Sequence, residues 1–210
     1  MKLYMVPLAP NPTKVMLYIA EREQSGVDLG IEQVMVNTLK GQHREPAHLA
    51  RNPFGTLPTL ELDDGSFLVE SLAIIEYLED RYPDQGLLDS SPEVRARERD
   101  IERICDLRIG TPMNQYVHAV KSPLGLPPAP EKAAKIREDI AVGLDYLEAL
   151  LSDNRPFLTG RGVSVADCTL QASLQFLRFI EADLIEDRPL LRDWDARYRD
   201  RPAARSVLKW

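Results

Sequence analysis

Residues 55–71 read Gly-Thr-Leu-Pro-Thr-Leu-Glu-Leu-Asp-Asp-Gly-Ser-Phe-Leu-Val-Glu-Ser. Two short β-type runs, residues 59–62 and 66–69, flank the turn pair Asp64-Gly65, and this pattern predicts a β-hairpin. Pro58 stands at the mouth of the first strand. Because a proline cannot donate to a strand ladder, it is favoured at strand starts and edges, and beside a tight turn it is a candidate for a cis peptide bond.

The two ends of this hairpin predict a binding site for a small peptide. With a cis Leu57–Pro58 bond, the amide and carbonyl of Leu57 would turn outward and pair with an extended ligand backbone. Ser71 is predicted to cap a helix, and the free amides of that helix end would attract a carboxylate. Pro58 and Ser71 also have purely structural interpretations, as a strand-start proline and a helix cap, so the hypothesis depends on the pair together.

Composition and charge exclude several classes of protein. The chain has 210 residues, with 26 basic and 33 acidic side chains and a net charge of -7, which disfavours nucleic acid as a partner. Cys105 and Cys168 form neither a Cys-x-x-Cys pair nor a disulfide framework, and the three histidines form no zinc pattern. Residues 1–10 are interrupted by two prolines and do not have the pattern of a signal peptide, and no run of eighteen apolar residues occurs. We therefore expect a soluble cytoplasmic protein without a metal and without a membrane span.

The first half of the chain has the pattern of a small α/β domain. Residues 2–6, 12–25 and 30–36 read as strand, helix and strand, which predicts a right-handed βαβ unit with parallel strands. Residues 40–51 are polar and predict a short helix or loop before the hairpin. Turn formers and helix breakers then crowd residues 83–91. The expected division is a domain over residues 1–82, a linker over 83–91 and a second domain over 92–210.

The second half predicts an all-helical bundle. Long amphipathic runs over residues 93–121 and 131–152 are separated by the proline-rich segment 122–130. Ser164 and Asp167 have the spacing of a capping box at the start of an apolar run, 165–180, that should be buried nearly all round. This places a central helix there, with Asp167 in a structural role.

A second helix start lies near the predicted Leu57–Pro58 turn. Asn11 is a good capping residue, and Pro12 suits the first helical position because its missing N–H would be unpaired anyway. A thiol held at a helix N-terminus has a lowered pKa, since the free amides favour the thiolate. Asn11 and Thr13 could donate hydrogen bonds to such a sulfur, or could be ordinary residues of a first helical turn; the pattern alone leaves both interpretations open.

A βαβ-ββα half with Thr-Leu-Pro-Thr and Glu-Ser, followed by an all-helical half with Ser-x-x-Asp, resembles the cytosolic glutathione transferases over essentially the whole chain. Residues 9–15 and 40–44 are most similar to bacterial members of the nu-class or yeast-prion-like type. The resemblance implies a thioredoxin-like N-terminal domain, an all-α C-terminal domain, glutathione as co-substrate and a homodimer. It also implies detoxification as the biological role.

The resemblance assigns roles to particular residues. Leu57 and Pro58 would pair with the backbone of the glutathione cysteine, while Glu70 and Ser71 would hold the γ-glutamyl group. The glycine carboxylate would face Gln42, with Arg44 or Lys40 nearby. The apolar substrate would lie against Met113, Tyr116, Val117 and the segment 123–128, although simple packing in the core is the favoured interpretation of each residue taken alone.

The chain departs from most of that superfamily at the residue that activates the thiol. Ala9 stands where a tyrosine, serine or cysteine is expected, and Tyr4 lies inside a strand, where it should pack. The resemblance therefore points to Asn11, assisted by Thr13 or a main-chain amide. Two reactions are expected alternatives, conjugation to an electrophile and glutathione-dependent reduction of a disulfide or peroxide. A third possibility is a non-catalytic module of the same fold that acts through protein contacts.

Overall fold

Four short strands form the sheet of the N-terminal half. The computed structural model describes residues 1–160 and 162–209, and the strands are β1 (Lys2–Met5), β2 (Glu32–Met35), β3 (Thr59–Glu61) and β4 (Phe67–Leu68). Their order across the sheet is β2-β1-β3-β4, with β1 parallel to β2 and antiparallel to β3. Strand β4 runs antiparallel to β3. The predicted βαβ unit and hairpin are confirmed, and each strand is somewhat shorter than predicted.

Helices make up most of the remaining structure. They are α1 (Pro10–Gln24), α2 (Pro46–Leu49), α3 (Ser71–Arg81), α4 (Pro92–Arg103), α5 (Thr111–Lys121), α6 (Pro130–Leu150), α7 (Val165–Phe179), α8 (Pro189–Arg199) and α9 (Pro202–Val207). Most begin with a proline, because proline at the first position fixes a helical φ and gives up an N–H that has no partner there. A 3-10 turn at Gln42–Arg44 precedes α2 in the segment predicted as a short helix or loop.

Helices α4 and α5 are joined by a π-helical stretch, Ile104–Gly110, into one continuous rod. Pro112 follows this stretch and has no N–H to offer the carbonyl four residues earlier, which favours a local change of hydrogen-bond pattern. The Lys14 ammonium, near the start of α1, lies 3.3 Å from the Asp106 carboxylate, so the π-helical stretch lies close to the start of α1. Such stretches occur often near functional sites.

Helix α7 is the central helix of the bundle, as predicted. Its residues from Val165 to Leu177 are all buried, and the predicted capping box between Ser164 and Asp167 is present. The Asp167 carboxylate also accepts hydrogen bonds from the Leu158 N–H at 3.0 Å and the Trp194 ring N–H at 2.7 Å. Burial raises the pKa of Asp167, and these hydrogen bonds act in the opposite direction.

The two halves share a continuous apolar interface. Residues of α1, including Leu17 and Ile19, belong to one buried cluster with Val165 and Cys168 of α7. The fully buried Arg22 pairs with Glu79 at 2.9 Å and donates to the carbonyl oxygens at the start of the connecting segment, those of residues 82 and 84. Helix α1 is thus fixed against both halves, and its first turn lies at their boundary.

Within residues 1–160 and 162–209, no helix has the length and apolar character needed to cross a bilayer. The same residues contain no group of three or more histidine, cysteine or acidic side chains placed to hold a metal ion. Cys105 and Cys168 are fully buried free thiols, and burial raises the pKa of both. Both thiols are therefore structural.

Candidate functional site

The Leu57–Pro58 turn leads into β3, an inner strand of the sheet, and Leu57 lines a cavity together with residues of the helical half. The peptide bond between Leu57 and Pro58 is cis. Pro58 is buried, while Leu57 is half-buried and contributes to the wall of a cavity. Thr59 follows at once as the first residue of β3 and is fully buried. The turn therefore presents the backbone of Leu57 on a rigid support.

Helix α3 begins beside this turn, with Glu70 at the N-cap position and Ser71 as the first helical residue. The Glu70 carbonyl accepts the first intrahelical hydrogen bond, from the Ile74 N–H at 2.9 Å, which defines it as the cap. The expectation that Ser71 caps this helix was wrong by one residue. Glu70 is exposed and Ser71 is 7% exposed, so a carboxylate and a hydroxyl stand together at the helix end.

The first turn of α1 also differs from the prediction. The cap is Ala9, whose carbonyl accepts the Thr13 N–H at 3.0 Å, and Pro10 rather than Pro12 is the first helical residue. Pro10 and Pro12 carry no N–H, so Asn11 has the only free backbone donor of this first turn. Its side chain is exposed at the same place. Of the first three helical residues, Asn11 alone therefore has a backbone N–H that a ligand could accept.

Two cavities meet at Asn11. The apolar cavity, about 360 Å³, lies between the halves and is lined by Val6–Pro12, Thr38, Leu39, His43, Gly55–Leu57, Asn114, His118, Pro123, Leu124 and Phe176. The polar cavity, about 450 Å³, is lined by Asn11, Glu70–Ala73, Glu76, Arg103, Asp106 and Thr111. Asn11 is the residue that the two linings share. One side chain at the start of α1 therefore faces both an apolar and a charged space.

Thr13 and Tyr4 point away from these cavities. Thr13 is 1% exposed, and its hydroxyl oxygen accepts a hydrogen bond from the Gln175 amide of α7 at 3.3 Å. Tyr4 donates to the Glu61 carboxylate at 2.6 Å, and the guanidinium of Arg51 lies over its ring. Burial raises the pKa of Tyr4, and the bond to Glu61 adds to this effect. The expected assistance from the Thr13 side chain is corrected: that side chain helps to join the two halves.

The predicted face of α5 is also corrected. Met113 and Val117 have no exposed surface and belong to the core of the helical half, against which Tyr116 packs. Asn114 and His118 line the apolar cavity instead. Each lies one residue further along the helix, and because a helix turns about 100° per residue, its side chain leaves the helix in a different direction. The most apolar residues of α5 are buried in the helical core, so the polar face of this helix lines the cavity.

The residues expected to hold a glycine carboxylate surround the loop before α2. Gln42 is half-buried, and its side-chain oxygen accepts the Asn37 N–H at 2.7 Å. Lys40 and Arg44 are exposed, and the Arg44 side chain lies against Gly55 at the edge of the apolar cavity. His43, between these residues, lines that cavity directly. The Arg44 side chain thus lies near the cavity rim, and the bond to its oxygen leaves the Gln42 amide nitrogen able to donate to a ligand.

His118 is a site residue that sequence patterns did not single out as such. Its Nδ1 atom lies 2.8 Å from the Ser122 hydroxyl, and its ring meets Phe176 edge-on. Burial lowers the pKa of His118, and burial together with neighbouring cationic groups lowers the pKa of His43. Both histidines of the apolar cavity therefore favour the neutral form. In the sequence, the four-residue spacing of His118 and Ser122 could have indicated that these two side chains meet.

The polar cavity combines three carboxylates with one guanidinium. Asp106, in the π-helical stretch, pairs with Arg103 and lies 3.3 Å from the ammonium of Lys14. Glu76 pairs with Arg99 at 2.9 Å, which leaves Glu70 as the acidic side chain nearest the start of α3. A cavity with this balance of charge suits a ligand that carries both an ammonium and a carboxylate.

A thioredoxin-like sheet with a cis-proline turn, joined to an all-helical half across a two-part cavity, is the architecture of the glutathione transferases. Comparison with family models agrees: residues 3–86 match the glutathione S-transferase N-terminal domain, and residues 116–197 match the glutathione S-transferase C-terminal domain. The chain therefore belongs to the glutathione S-transferase family.

Individual relatives agree over the full length. Glutathione S-transferase 2 of Saccharomyces cerevisiae is 30% identical over 213 residues, covering 100% of this chain and 90% of the yeast protein. The crystal structure of Gtt2 from the same organism superposes with a TM-score of 0.86 at 30% identity, covering 99% of this chain and 100% of that one. A glutathione S-transferase domain-containing protein of Marinobacter aquaeolei has a TM-score of 0.86 at 31% identity, over 97% of this chain and 100% of its own.

Proposed function

We propose that this protein binds glutathione across the two cavities and activates its thiol for reaction with a second, apolar substrate. The γ-glutamyl group lies in the polar cavity against Glu70 and Ser71, and the cysteine backbone pairs with Leu57. The glycine carboxylate points toward Gln42, with Arg44 or Lys40 nearby. The observation that carries this proposal is the position of Asn11, which borders the charged cavity and the apolar cavity at once.

In this arrangement Asn11 is the group that stabilises the thiolate. A hydrogen bond to an anion contributes about 1.5 to 3 kcal/mol, which corresponds to roughly one or two pKa units for the bound thiol. The backbone N–H and the side-chain amide of Asn11 supply two such donors where Pro10 and Pro12 supply none. The thiolate sulfur then attacks an electrophilic carbon of the second substrate, a C–S bond forms, and the leaving group departs with the bonding electron pair.

The second substrate occupies the apolar cavity, where Leu39, Leu124 and Phe176 provide contact surface. His118, favoured in its neutral form, is the titratable side chain that the helical half adds to this cavity. Reduction of a disulfide remains a second reaction of the same site. Because both protein cysteines are fully buried, the attacking sulfur in either reaction belongs to glutathione. A second glutathione would then complete the reduction.

The variant Asn11→Ala tests the proposal directly. We expect turnover to fall on the order of 10- to 100-fold, the loss that follows removal of a charge-assisted hydrogen bond, while glutathione is still bound. Turnover with a chlorodinitrobenzene-type electrophile and with hydroxyethyl disulfide is measured in parallel. The ultraviolet absorbance of the bound thiolate, titrated with pH, should shift to a higher pKa in the variant.

Asn114→Ala is the matched control, since it removes an asparagine from the same cavity on the helical side. It is expected to change KM for the second substrate without moving the pKa of the bound thiol. An Asn11→Ala enzyme with unchanged turnover and an unchanged thiol pKa would remove Asn11 from the mechanism. If calorimetry detects no binding of glutathione to the unmodified protein, the non-catalytic module becomes the better description.

A further inference from the structure

Asn52 is a fully buried asparagine in the loop between α2 and β3. Its side-chain amide donates to the Thr56 carbonyl oxygen at 2.9 Å, with the Thr56 and Thr59 hydroxyl oxygens at 3.1 and 3.2 Å. Its side-chain oxygen accepts the Phe54 N–H at 3.1 Å. A buried side chain whose amide nitrogen and oxygen both find partners within residues 54–59 holds that segment in a single conformation.

His48 adds a second donor to the same carbonyl. Its Nε2 atom lies 3.1 Å from the Thr56 oxygen, and His48 is 2% exposed. Because a carbonyl oxygen only accepts hydrogen bonds, Nε2 must carry the ring proton. Nδ1 of the same ring is buried and has no hydrogen-bond partner among the described residues. The Thr56 carbonyl is therefore drawn inward by two buried side chains, Asn52 and His48.

The direction of this carbonyl fixes the direction of the next amide. In a trans peptide unit the C=O and N–H bonds point in opposite directions, and the bond between Thr56 and Leu57 is trans. The Leu57 N–H consequently points away from Asn52 and His48, and in the described part of the chain it has no acceptor. Leu57 itself lines the apolar cavity beside Asn11. A free, oriented backbone donor thus stands where an extended peptide would pair.

We infer that Asn52 and His48 are positioning residues for glutathione: by holding the Thr56 carbonyl they aim the Leu57 N–H at the ligand backbone. This inference rests on the proposed function, because it concerns the same glutathione site. Neither side chain lines either cavity or contacts the ligand in this scheme. Their contribution is the orientation of one peptide plane, and it should appear in the binding of glutathione rather than in the chemical step.

The test compares Asn52→Asp with the unmodified protein. The substitution keeps the shape and the acceptor but removes the amide donor and places a carboxylate against the Thr56 carbonyl. We expect the Kd for glutathione, measured by calorimetry, to weaken about tenfold or more. KM for glutathione should rise in parallel while kcat at saturating glutathione changes much less. In hydrogen exchange, glutathione should protect the Leu57 amide in the unmodified protein and fail to do so in the variant.

Two substitutions of His48, one that keeps a donor and one that removes it, test the same inference. His48→Gln keeps an N–H donor and should bind glutathione nearly as well as the unmodified protein, whereas His48→Leu should weaken binding. If Asn52→Asp does not fold, this pair alone decides the outcome. Ser164→Ala is the stability control, because it removes a helix cap in the other half and should lower Tm without changing the Kd for glutathione.

Several results would overturn the inference. Glutathione affinity within about twofold of the unmodified protein in both Asn52→Asp and His48→Leu would do so, as would an equal loss of affinity in Ser164→Ala. Protection of the Leu57 amide that persists in the variants would have the same meaning. If the proposed function is wrong, the unmodified protein itself will bind no glutathione. That result is distinct from those above, and it would overturn the inference as well.

Discussion

At the scale of single residues, the candidate site depends on Asn11 and on the residues beside it. Pro10 and Pro12 stand on either side of Asn11 and have no N–H. Asn11 therefore provides a donor that several residues share at most helix starts. In the proposed reaction, Asn11 takes the place of the hydroxyl or thiol that the resemblance leads one to expect at Ala9. A single polar residue at a helix start can therefore replace a dedicated catalytic side chain in the proposed reaction.

His118 gives a prediction about pH at the same scale. Its pKa is lowered in the folded protein by burial, so the unfolded chain binds a proton more readily as the pH falls below the ordinary value of 6.5. The free energy of unfolding should therefore decrease as the pH is lowered from about 7.5 to about 5.5. His118→Phe should show a smaller decrease, measured by denaturant unfolding at both pH values. An unchanged pH dependence in this variant would contradict the assignment.

At the scale of elements, the start of α7 is held in place by one buried carboxylate. Asp167 is 0% exposed and accepts hydrogen bonds from the Ser164 N–H, the Ser164 hydroxyl, the Leu158 N–H and the Trp194 ring. These donors come from three separate segments of the chain. One carboxylate therefore joins the central helix to the loop before it and to α8.

Asp167→Asn tests this arrangement. The new amide group would face buried donors in place of a carboxylate oxygen, and each unsatisfied donor costs about 1 to 3 kcal/mol. We expect the free energy of unfolding to fall by roughly 3 kcal/mol or more, measured by denaturant titration. Asp187→Asn, at an exposed position, is the matched control and should change stability by less than about 0.5 kcal/mol. Equal effects of the two substitutions would exclude the structural role.

The face that an element presents is set by packing rather than by its own sequence. Met113 and Val117 are the more apolar residues of α5 and were expected at the substrate site, yet the helical core buries them completely. Asn114 and His118 remain for the cavity. Periodicity predicted the helix and its apolar stripe, but it could not show that the stripe faces α6 and α7 while the cavity lies on another side.

At the scale of the whole molecule, the two halves act as one support for the site. The Arg201 guanidinium makes two hydrogen bonds to the Glu21 carboxylate, at 2.9 and 2.6 Å, and so ties the segment before α9 to α1. Gln175 of α7 reaches Thr13 in the first turns of α1. Because α1 is held from both directions, the position of Asn11 relative to the two cavities depends on the full chain.

We also predict that the protein forms a homodimer, as is typical of glutathione transferases. Light scattering after size-exclusion chromatography should give twice the 23.8 kDa mass of the chain. A monomer that remains active with glutathione would show that the dimer is not needed for the site. A monomer at all concentrations would make the expected assembly wrong for this member of the family.

The features that depend on neighbours along the chain could be predicted from the sequence: the order of strands and helices, the hairpin around Asp64-Gly65 and the capping box of Ser164 and Asp167. The sequence also identified the Leu57–Pro58 turn and the Glu70-Ser71 pair, since turn and cap signals are local. Which face of α5 lines the cavity, and where α1 begins, became clear only from the three-dimensional fold. It alone brought Asn11 between the two cavities and directed the Thr56 carbonyl toward Asn52 and His48. These features arise from contacts between distant segments and from competition for burial in the core, which no local pattern encodes.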